Sequence, residues 1–164
     1  MRIYLTGFMG AGKTTVGEAL AARLAWPFVD LDTSIEESAG LALREIFDTL
    51  GEVRFRQLES EGLRRTGALA ACVVATGGGT PVDRENRAWM QAHGRVVWLD
   101  VAFEEVATRL RDDRRRPLYS DREAAALLFE QRRPAYSEND LAVHVEGRSA
   151  AGLAVAIADA LGLR

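Results

Sequence analysis

The segment Gly7-Phe8-Met9-Gly10-Ala11-Gly12-Lys13-Thr14 constrains the fold of this chain more than any other feature. It fits the pattern G-x-x-x-x-G-K-[ST] at every fixed position. The apolar run 3–6 before it is typical of a buried strand, and residues 14–24 after it have helical spacing. Glycines permit positive φ angles, and a helix N-terminus carries partial positive charge, so this arrangement predicts a loop of inward-facing N–H groups that binds phosphate.

The basic residues support the same interpretation. The chain has 21 of them, and Lys13 is its only lysine. A compact ammonium differs from a forked guanidinium, and in such a loop it would reach the β- and γ-phosphates of a nucleotide. The hydroxyl of Thr14 would then bind the magnesium ion that bridges those phosphates. A glycine-rich turn with a chance lysine is the alternative, and the flanking strand and helix disfavour it.

The rest of the sequence alternates between strand-like and helical segments. Strands are predicted at 3–6, 27–32, 71–76, 95–100 and 141–145, and helices at 14–24, 43–66 with a break near Gly51, 83–93, 103–111, 122–137 and 150–161. The pattern predicts an α/β fold of three layers, with a five-stranded parallel sheet flanked by helices and ligands at the carboxyl ends of the strands. The long polar connection 112–121 is predicted to be a lid.

Composition narrows the class of protein. A chain of 164 residues that is 48% hydrophobic and 27% charged predicts one globular domain spanning 1–164. A net charge of −3 argues against a nucleic-acid partner. The apolar runs are too short to span a membrane and no secretory signal is evident, so a cytoplasmic location is expected. The one cysteine, Cys72, lies in an apolar strand pattern and is given no chemical role.

Polar residues and glycines follow the predicted second and third strands. Asp30 and Asp32 close the second strand, where a period of two would place both on one face. Two such carboxylates need a cation or donor, so metal binding and orientation of a hydroxyl are favoured over simple strand-end caps. The glycines 77–79 would open backbone N–H groups to a ligand, with a plain turn as the alternative. Neither a Walker-B aspartate there nor an N-K-x-D motif is present, which argues against a GTPase.

Three arginines are candidate ligands for anions. Arg56 and Arg132 would each be ordinary surface residues alone, but together in one pocket they would indicate an anionic substrate, because a guanidinium grips a carboxylate through two hydrogen bonds. Arg116 lies in a charged run that could be solvated or form a weak RNA patch. Its place in the long connection favours a residue that closes over the γ-phosphate and excludes water. His93 and His144 lack neighbours at metal-ligand spacing and are expected to be structural.

Taken in order, the motifs resemble those of the shikimate kinase family over nearly the whole chain. They are 7–17, Asp30-Leu31-Asp32, Ile46-Phe47, Gly51-Glu52, Phe55-Arg56, the glycines 77–79, Arg116-Pro117-Leu118 and Arg132-x-Pro-x-Tyr136. The resemblance implies a P-loop kinase with a fold like that of nucleoside monophosphate kinases, including a lid. The implied reaction converts ATP and shikimate into ADP and shikimate 3-phosphate, in aromatic amino acid biosynthesis. A monomer that acts on small molecules is expected.

The resemblance also implies roles for individual residues. Lys13, Asp32 and Arg116 would be catalytic, with Asp32 taking the reacting hydroxyl, while magnesium would be held by Thr14 and, through water, Asp30. The substrate carboxylate would be clamped by Arg56 and Arg132, and its hydroxyls would meet the backbone of Gly78 and Gly79. The nucleotide contacts would be Gly10, Ala11, Gly12, Lys13, Thr14, Thr15 and Arg116, with Arg148 near the adenine. Tyr119 departs from the family pattern, which has leucine there, and puts the lid packing in doubt.

Two other functions remain open from the sequence. Another kinase of the same fold, acting on gluconate or a nucleoside monophosphate, would not need Asp-x-Asp, the glycine triplet and the two arginines together. A non-enzymatic ATP-binding module would keep Lys13 and tolerate loss of Asp32 or Arg116.

Overall fold

The computed structural model describes residues 1–111 and 121–163, and its centre is a sheet of five parallel strands in the order β2-β3-β1-β4-β5. The strands are Arg2–Thr6 (β1), Phe28–Asp30 (β2), Cys72–Ala75 (β3), Arg95–Asp100 (β4) and Leu141–His144 (β5). The helices are Lys13–Leu24 (α1), Leu31–Ala39 (α2), Leu43–Arg65 (α3), Arg84–His93 (α4), Phe103–Arg111 (α5), Arg122–Ser137 (α6) and Ala150–Ala160 (α7). Short 3₁₀ turns lie at Thr66–Ala68 and Thr80–Val82.

The central strands are apolar throughout because both faces of the sheet are covered. Residues 3–6 of β1 and all of β3 are buried, as expected for a parallel sheet between two helical layers. Successive residues of β1 belong to opposite layers: Leu5 packs with Leu20 of α1 and Ile157 of α7, whereas Tyr4 packs with Leu63 of α3. The predicted three-layer α/β fold with a five-stranded parallel sheet is confirmed.

The second strand is shorter than predicted, and a helix follows it at once. β2 ends at Asp30, whose Oδ1 accepts a hydrogen bond of 3.2 Å from the Thr33 N–H, so Asp30 is the N-cap of α2. Asp32 lies in the first turn of α2. The prediction that both aspartates lie on one face of a strand is therefore wrong. Aspartate is disfavoured in strands and favoured at helix N-termini, which explains the difference.

A kink divides α3 into two helices. Gly51 has φ 80° and ψ 167°, a conformation that ends one helix and starts the next. The break was predicted at this residue. Ile35 of α2 and Ile46, Phe55 and Leu58 of α3 form a small core of their own. This core holds the second half of α3, which carries Arg56, against α2.

The predicted lid falls almost entirely on residues 112–120, outside the described part of the chain. Asp121 belongs to the following helix, because its Oδ1 accepts a hydrogen bond of 3.0 Å from the Ala124 N–H and caps α6. None of the helices in the described ranges is both long enough and apolar enough to cross a membrane.

Candidate active site

The phosphate loop lies between β1 and α1, as the motif requires. Gly12 occupies the N-cap of α1 with φ 94°, in the left-handed region that favours glycine. The Ala11 N–H donates to the Phe8 carbonyl over 3.1 Å, which closes the loop on itself. The first turn of α1 carries Lys13, Thr14 and Thr15. The N–H groups at this helix end lack partners within the helix and form a site for anions.

Lys13 points into the loop. The residue is only 9% exposed, and its Nζ donates to the carbonyls of Gly7 and Phe8 over 2.8 and 2.9 Å. Enclosure by carbonyl oxygens directs a compact ammonium, with three donors that rotate about one nitrogen, toward the centre of the loop. The side chain is therefore already placed where a bound phosphate would meet it.

Thr14 and Asp30 lie in contact although they come from different elements. The Thr14 hydroxyl donates to Oδ2 of Asp30 over 2.7 Å. Hydroxyl and carboxylate oxygens are ligands that Mg²⁺ accepts, and this ion is usually held by one or two protein groups together with phosphates and water. No group of three or more His, Cys, Asp or Glu residues within 1–111 and 121–163 could hold a metal alone. The pair fits a magnesium ion that arrives with a nucleotide.

Three predicted substrate residues converge on the glycines after β3. A Cβ built on Gly77 would lie 3.2 Å from Oδ1 of Asp32, and one on Gly78 would lie 3.2 Å from Nη1 of Arg132. The same Gly78 position is 3.4 Å from the Met9 backbone nitrogen, which belongs to the phosphate loop. The structure thus brings a carboxylate and a guanidinium together beside the phosphate loop.

The second guanidinium, that of Arg56, lies beside Gly79 in the same segment. A Cβ on Gly79 would lie 2.9 Å from Cζ of Arg56, closer than side chains tolerate. A side chain at this position would require the Arg56 guanidinium to move away from the backbone. Arg56 and Arg132, from α3 and α6, therefore flank one short stretch of main chain. This convergence is what the sequence alone could not show.

Glu59 is a site residue that the sequence interpretation missed. It is 1% exposed, and its Oε2 accepts a hydrogen bond of 2.9 Å from Nη1 of Arg56. Its Oε1 accepts one of 2.7 Å from the Thr80 hydroxyl. A buried carboxylate with both oxygens engaged fixes the orientation of its partner arginine. The signal was a glutamate three residues after Arg56, on the same helix face.

The two adjacent arginines of α6 point in different directions. Arg132 lies over the Phe8 ring, with its Cζ 6.0 Å from the centroid, and approaches Gly78. Arg133 instead packs on Trp98, at 5.4 Å from the ring centroid. Neighbours in a helix are rotated by about 100°, so only one of the two can face the site. The prediction named Arg132, the one that does.

Tyr136 links α6 to residues 77–79 after β3, the glycine segment. Its hydroxyl donates to the Gly78 carbonyl over 2.6 Å. Burial raises the pKa of Tyr136 to about 12, although the Arg132 guanidinium acts in the opposite direction. The hydroxyl therefore keeps its proton at neutral pH and remains a donor. This bond fixes the backbone on which Arg132 and Arg56 lie.

Two other predicted nucleotide residues lie in an exposed turn or outside the described residues. Arg148 is exposed in the turn after β5, and Arg116 belongs to the connection between α5 and α6, outside the described part of the chain. Arg109 of α5 contacts the backbone of the phosphate loop: its Nη1 donates to the Gly10 carbonyl over 3.0 Å, and the residue also pairs with Glu105. The sequence interpretation did not name Arg109.

A phosphate loop follows the first strand of this parallel sheet, and polar groups lie at the carboxyl ends of the neighbouring strands. These features define the P-loop class of nucleotide-binding proteins. The sequence model described as shikimate kinase matches residues 9–161. This chain belongs to the shikimate kinase family.

Individual relatives agree with that assignment. A shikimate kinase of Geobacter sulfurreducens is 44% identical over 159 residues, covering 95% of this chain and 88% of the relative. The solved shikimate kinase of Acinetobacter baumannii, in complex with shikimate, has a TM-score of 0.91 at 35% identity and covers 98% of this chain and 92% of its own. The Aquifex aeolicus shikimate kinase has a TM-score of 0.90 at 37% identity, with coverages of 99% and 96%. The predicted family and the phosphotransferase class are confirmed.

Proposed function

We propose that this chain transfers the γ-phosphate of ATP to the 3-hydroxyl of shikimate, giving shikimate 3-phosphate and ADP in aromatic amino acid biosynthesis. The observation that carries the proposal is the convergence of Asp32, Arg56 and Arg132 on residues 77–79, beside the phosphate loop. The arrangement offers a place for a small carboxylate-bearing alcohol next to a place for a nucleotide. The Acinetobacter baumannii relative, with shikimate bound, supports this choice of substrate.

The nucleotide phosphates would be held by the backbone N–H groups of Gly10 to Thr15 and by Lys13. The Lys13 ammonium donates hydrogen bonds to two neutral carbonyls of the loop. Charged phosphate oxygens are stronger acceptors, so a small rotation of the side chain toward ATP is favourable. Thr14 and Asp30 would hold Mg²⁺, with water between the ion and Asp30. When bound, that ion neutralises charge that develops on the transferred phosphoryl group.

The acceptor would be held by groups from three helices. Arg56 and Arg132 would clamp the shikimate carboxylate, and the backbone of Gly78 and Gly79 would meet its hydroxyls. Asp32 would accept the proton of the 3-hydroxyl as the O–P bond forms. It lies two residues after Asp30, across the start of α2, so the proton acceptor and the metal-binding carboxylate are held by the same turn.

Several finer expectations belong to the same proposal. Arg116 would close over the transferred phosphoryl group from the connection between α5 and α6, and Arg148 would lie near the adenine. The enzyme would act as a monomer in the cytoplasm. The buried, unpaired thiol of Cys72 fits a reducing compartment.

A parallel activity assay tests the proposal. ADP release would be coupled to NADH oxidation with shikimate, gluconate and AMP as acceptors, and the product would be identified by ³¹P NMR. Turnover with shikimate alone, lost on addition of EDTA and restored by excess MgCl₂, is expected. Faster turnover with gluconate or AMP would overturn the substrate assignment. ATP binding without turnover on any acceptor would indicate a binding module.

A further inference from the structure

Arg56 is paired with two carboxylates of very different environment. Glu59 bonds to its Nη1 at 2.9 Å and has a side chain that is 2% exposed. Glu52 lies 3.6 Å from its Nη2 and has a side chain that is 70% exposed. The two glutamates flank Arg56 on the same helix, at the (i, i+4) and (i, i+3) spacings where side chains meet. Only Glu59 has been given a role so far.

The geometry of the guanidinium explains why the position of Glu52 matters for carboxylate binding. A carboxylate can grip arginine through Nη1 and Nη2 together, or through Nε and Nη2 together. Nη2 is therefore one of the two donors in both arrangements. Glu59 leaves this nitrogen open by binding Nη1, whereas Glu52 lies beside it. An incoming carboxylate that binds Arg56 by two bonds therefore uses the nitrogen beside which Glu52 lies.

We propose that Glu52 is an internal competitor for the substrate carboxylate, since its side chain pairs with Nη2 of Arg56 at 3.6 Å and the substrate carboxylate competes with it for that nitrogen. This inference rests on the proposed function, which assigns the substrate carboxylate to Arg56. Exposed ion pairs contribute little net free energy, so a ligand that also binds Arg132 can displace Glu52. A simple anion that gains only one contact has a smaller advantage over the glutamate. Competition by Glu52 would therefore weaken the binding of every carboxylate at Arg56, and a ligand that gains only this one contact would be left with little net affinity.

Burial separates the two glutamates into different roles. Glu59 cannot leave Arg56 without stranding a charge away from water, so it acts as a fixed support. Glu52 can exchange its arginine for water at little cost because its side chain is mostly solvated. It also follows Gly51, where α3 is kinked, and so stands in the first turn of the helix that carries Arg56.

Calorimetric titration of the full chain with shikimate tests the inference, because the direction in which the affinity for shikimate changes distinguishes a competing glutamate from a supporting one. Glu52→Gln removes the competing charge, and shikimate is expected to bind about two- to five-fold more tightly than to the wild type. Sodium acetate, used as a small competing carboxylate, is expected to inhibit this variant at lower concentration. If Glu52 merely supported Arg56, the variant would instead bind shikimate more weakly and would need more acetate for inhibition.

Glu61→Gln is the matched control, because Glu61 lies on the same half of α3 and pairs with Arg54 and Arg65 at 3.2 and 3.9 Å. It makes the same change in net charge and should leave both values at the wild-type level. Equal tightening in the two variants would show a general charge effect and would overturn the inference. Unchanged or weaker shikimate binding to Glu52→Gln would overturn it as well.

Arg56→Ala separates this inference from the proposed function on which it rests. If that variant binds shikimate as the wild type does, Arg56 is not the carboxylate clamp and both statements fail. If Arg56→Ala weakens binding and Glu52→Gln does not strengthen it, the proposed function stands and the role of Glu52 alone is wrong. When Arg56→Ala is already present, adding Glu52→Gln should not change shikimate binding further, because the guanidinium for which Glu52 competes has been removed.

Discussion

Nη1 of Arg56 lies 2.9 Å from Oε2 of Glu59, a carboxylate that is almost completely enclosed. The other carboxylate oxygen accepts from Thr80, which follows the glycine segment. One buried side chain thus joins the arginine of α3 to the loop after β3. The orientation of the proposed substrate clamp is set before any ligand binds, which lowers the entropy lost on binding.

Glu59→Gln keeps the size of this side chain and removes its charge. The variant is expected to have a higher Michaelis constant for shikimate, with that for ATP little changed, because Arg56 loses its fixed orientation. The free energy of unfolding should fall by about 1–2 kcal/mol, less than for a fully enclosed pair, since the Arg56 side chain is 34% exposed. Steady-state kinetics and urea unfolding would measure both. Wild-type values in both would exclude the supporting role.

Arg132→Ala is expected to raise the Michaelis constant for shikimate far more than that for ATP, because this guanidinium lies against Gly78. Arg133→Ala is the matched control. It removes the neighbouring arginine, which packs on Trp98 instead, and should leave both constants near the wild-type values. Steady-state kinetics with each substrate varied would decide. Equal weakening of both substrates by Arg132→Ala would place this side chain elsewhere.

Lys13→Arg is expected to abolish measurable turnover although the charge is kept. The ammonium donates to the Gly7 and Phe8 carbonyls from a single nitrogen, and a planar guanidinium spreads its donors over three nitrogens and cannot reproduce that geometry. A coupled ATPase assay with shikimate would measure the loss, and circular dichroism would check that the variant is folded. Turnover close to wild type would remove Lys13 from the proposed chemistry.

Asp32→Asn should lower turnover by roughly 10²- to 10⁴-fold, the range typical of a lost general base. ATP affinity should barely change, because Asp32 lies beside Gly77 rather than in the phosphate loop. Nucleotide titration by calorimetry and steady-state rates would be measured on the same preparation. If rate and ATP affinity fall together, Asp32 is not the group that addresses the acceptor hydroxyl.

The alkaline stability of the chain should depend on Tyr136. Burial raises its pKa from 10.0 to about 12 in the folded state. Below pH 10 both states keep the proton, and the stabilising effect is complete. Between pH 10 and 12 only the unfolded state releases it, so the free energy of unfolding falls as pH rises, by on the order of 2–3 kcal/mol.

Tyr136→Phe should therefore be less stable than the wild type at pH 8, where it lacks the bond to Gly78, and should lose less stability between pH 10 and 12. Urea unfolding at a series of pH values would measure the slope. Burial also raises the pKa of Tyr4, which is present in both proteins and contributes equally. Parallel slopes for the two proteins would contradict the assignment.

The fold could be predicted because its signals are local. Apolar runs of strand length and the phosphate motif each need only a few neighbouring residues to be recognised. Helix α2 was missed because Leu31 and Asp32 were assigned to the preceding strand, although Leu31 and Ile35 at helical spacing and Gly40 after the last turn were available signals.

The site was harder to predict because it depends on contacts between distant parts of the chain. Arg56 and Arg132 meet at the glycine segment only through the packing of α3 and α6 around the sheet. Which of Arg132 and Arg133 faces inward depends on the rotation of α6. The burial of Glu59 and the contact between Arg109 and Gly10 depend equally on tertiary packing. A charged residue on a helix looks the same in sequence whether it is enclosed or solvated.

The enclosure of Lys13 by the Gly7 and Phe8 carbonyls makes this sequence convenient for spectroscopy. Reductive methylation with ¹³C-formaldehyde modifies amines and leaves arginines unchanged, so only the α-amino group and Lys13 can carry the label. Two resonances would be expected, one from a solvent-exposed terminus and one from the interior of the phosphate loop. The rate at which the second resonance appears reports how often the loop opens and exposes Lys13 to the reagent. Bound ADP would protect Lys13 from methylation, so the loss of this resonance with added ADP would measure nucleotide occupancy.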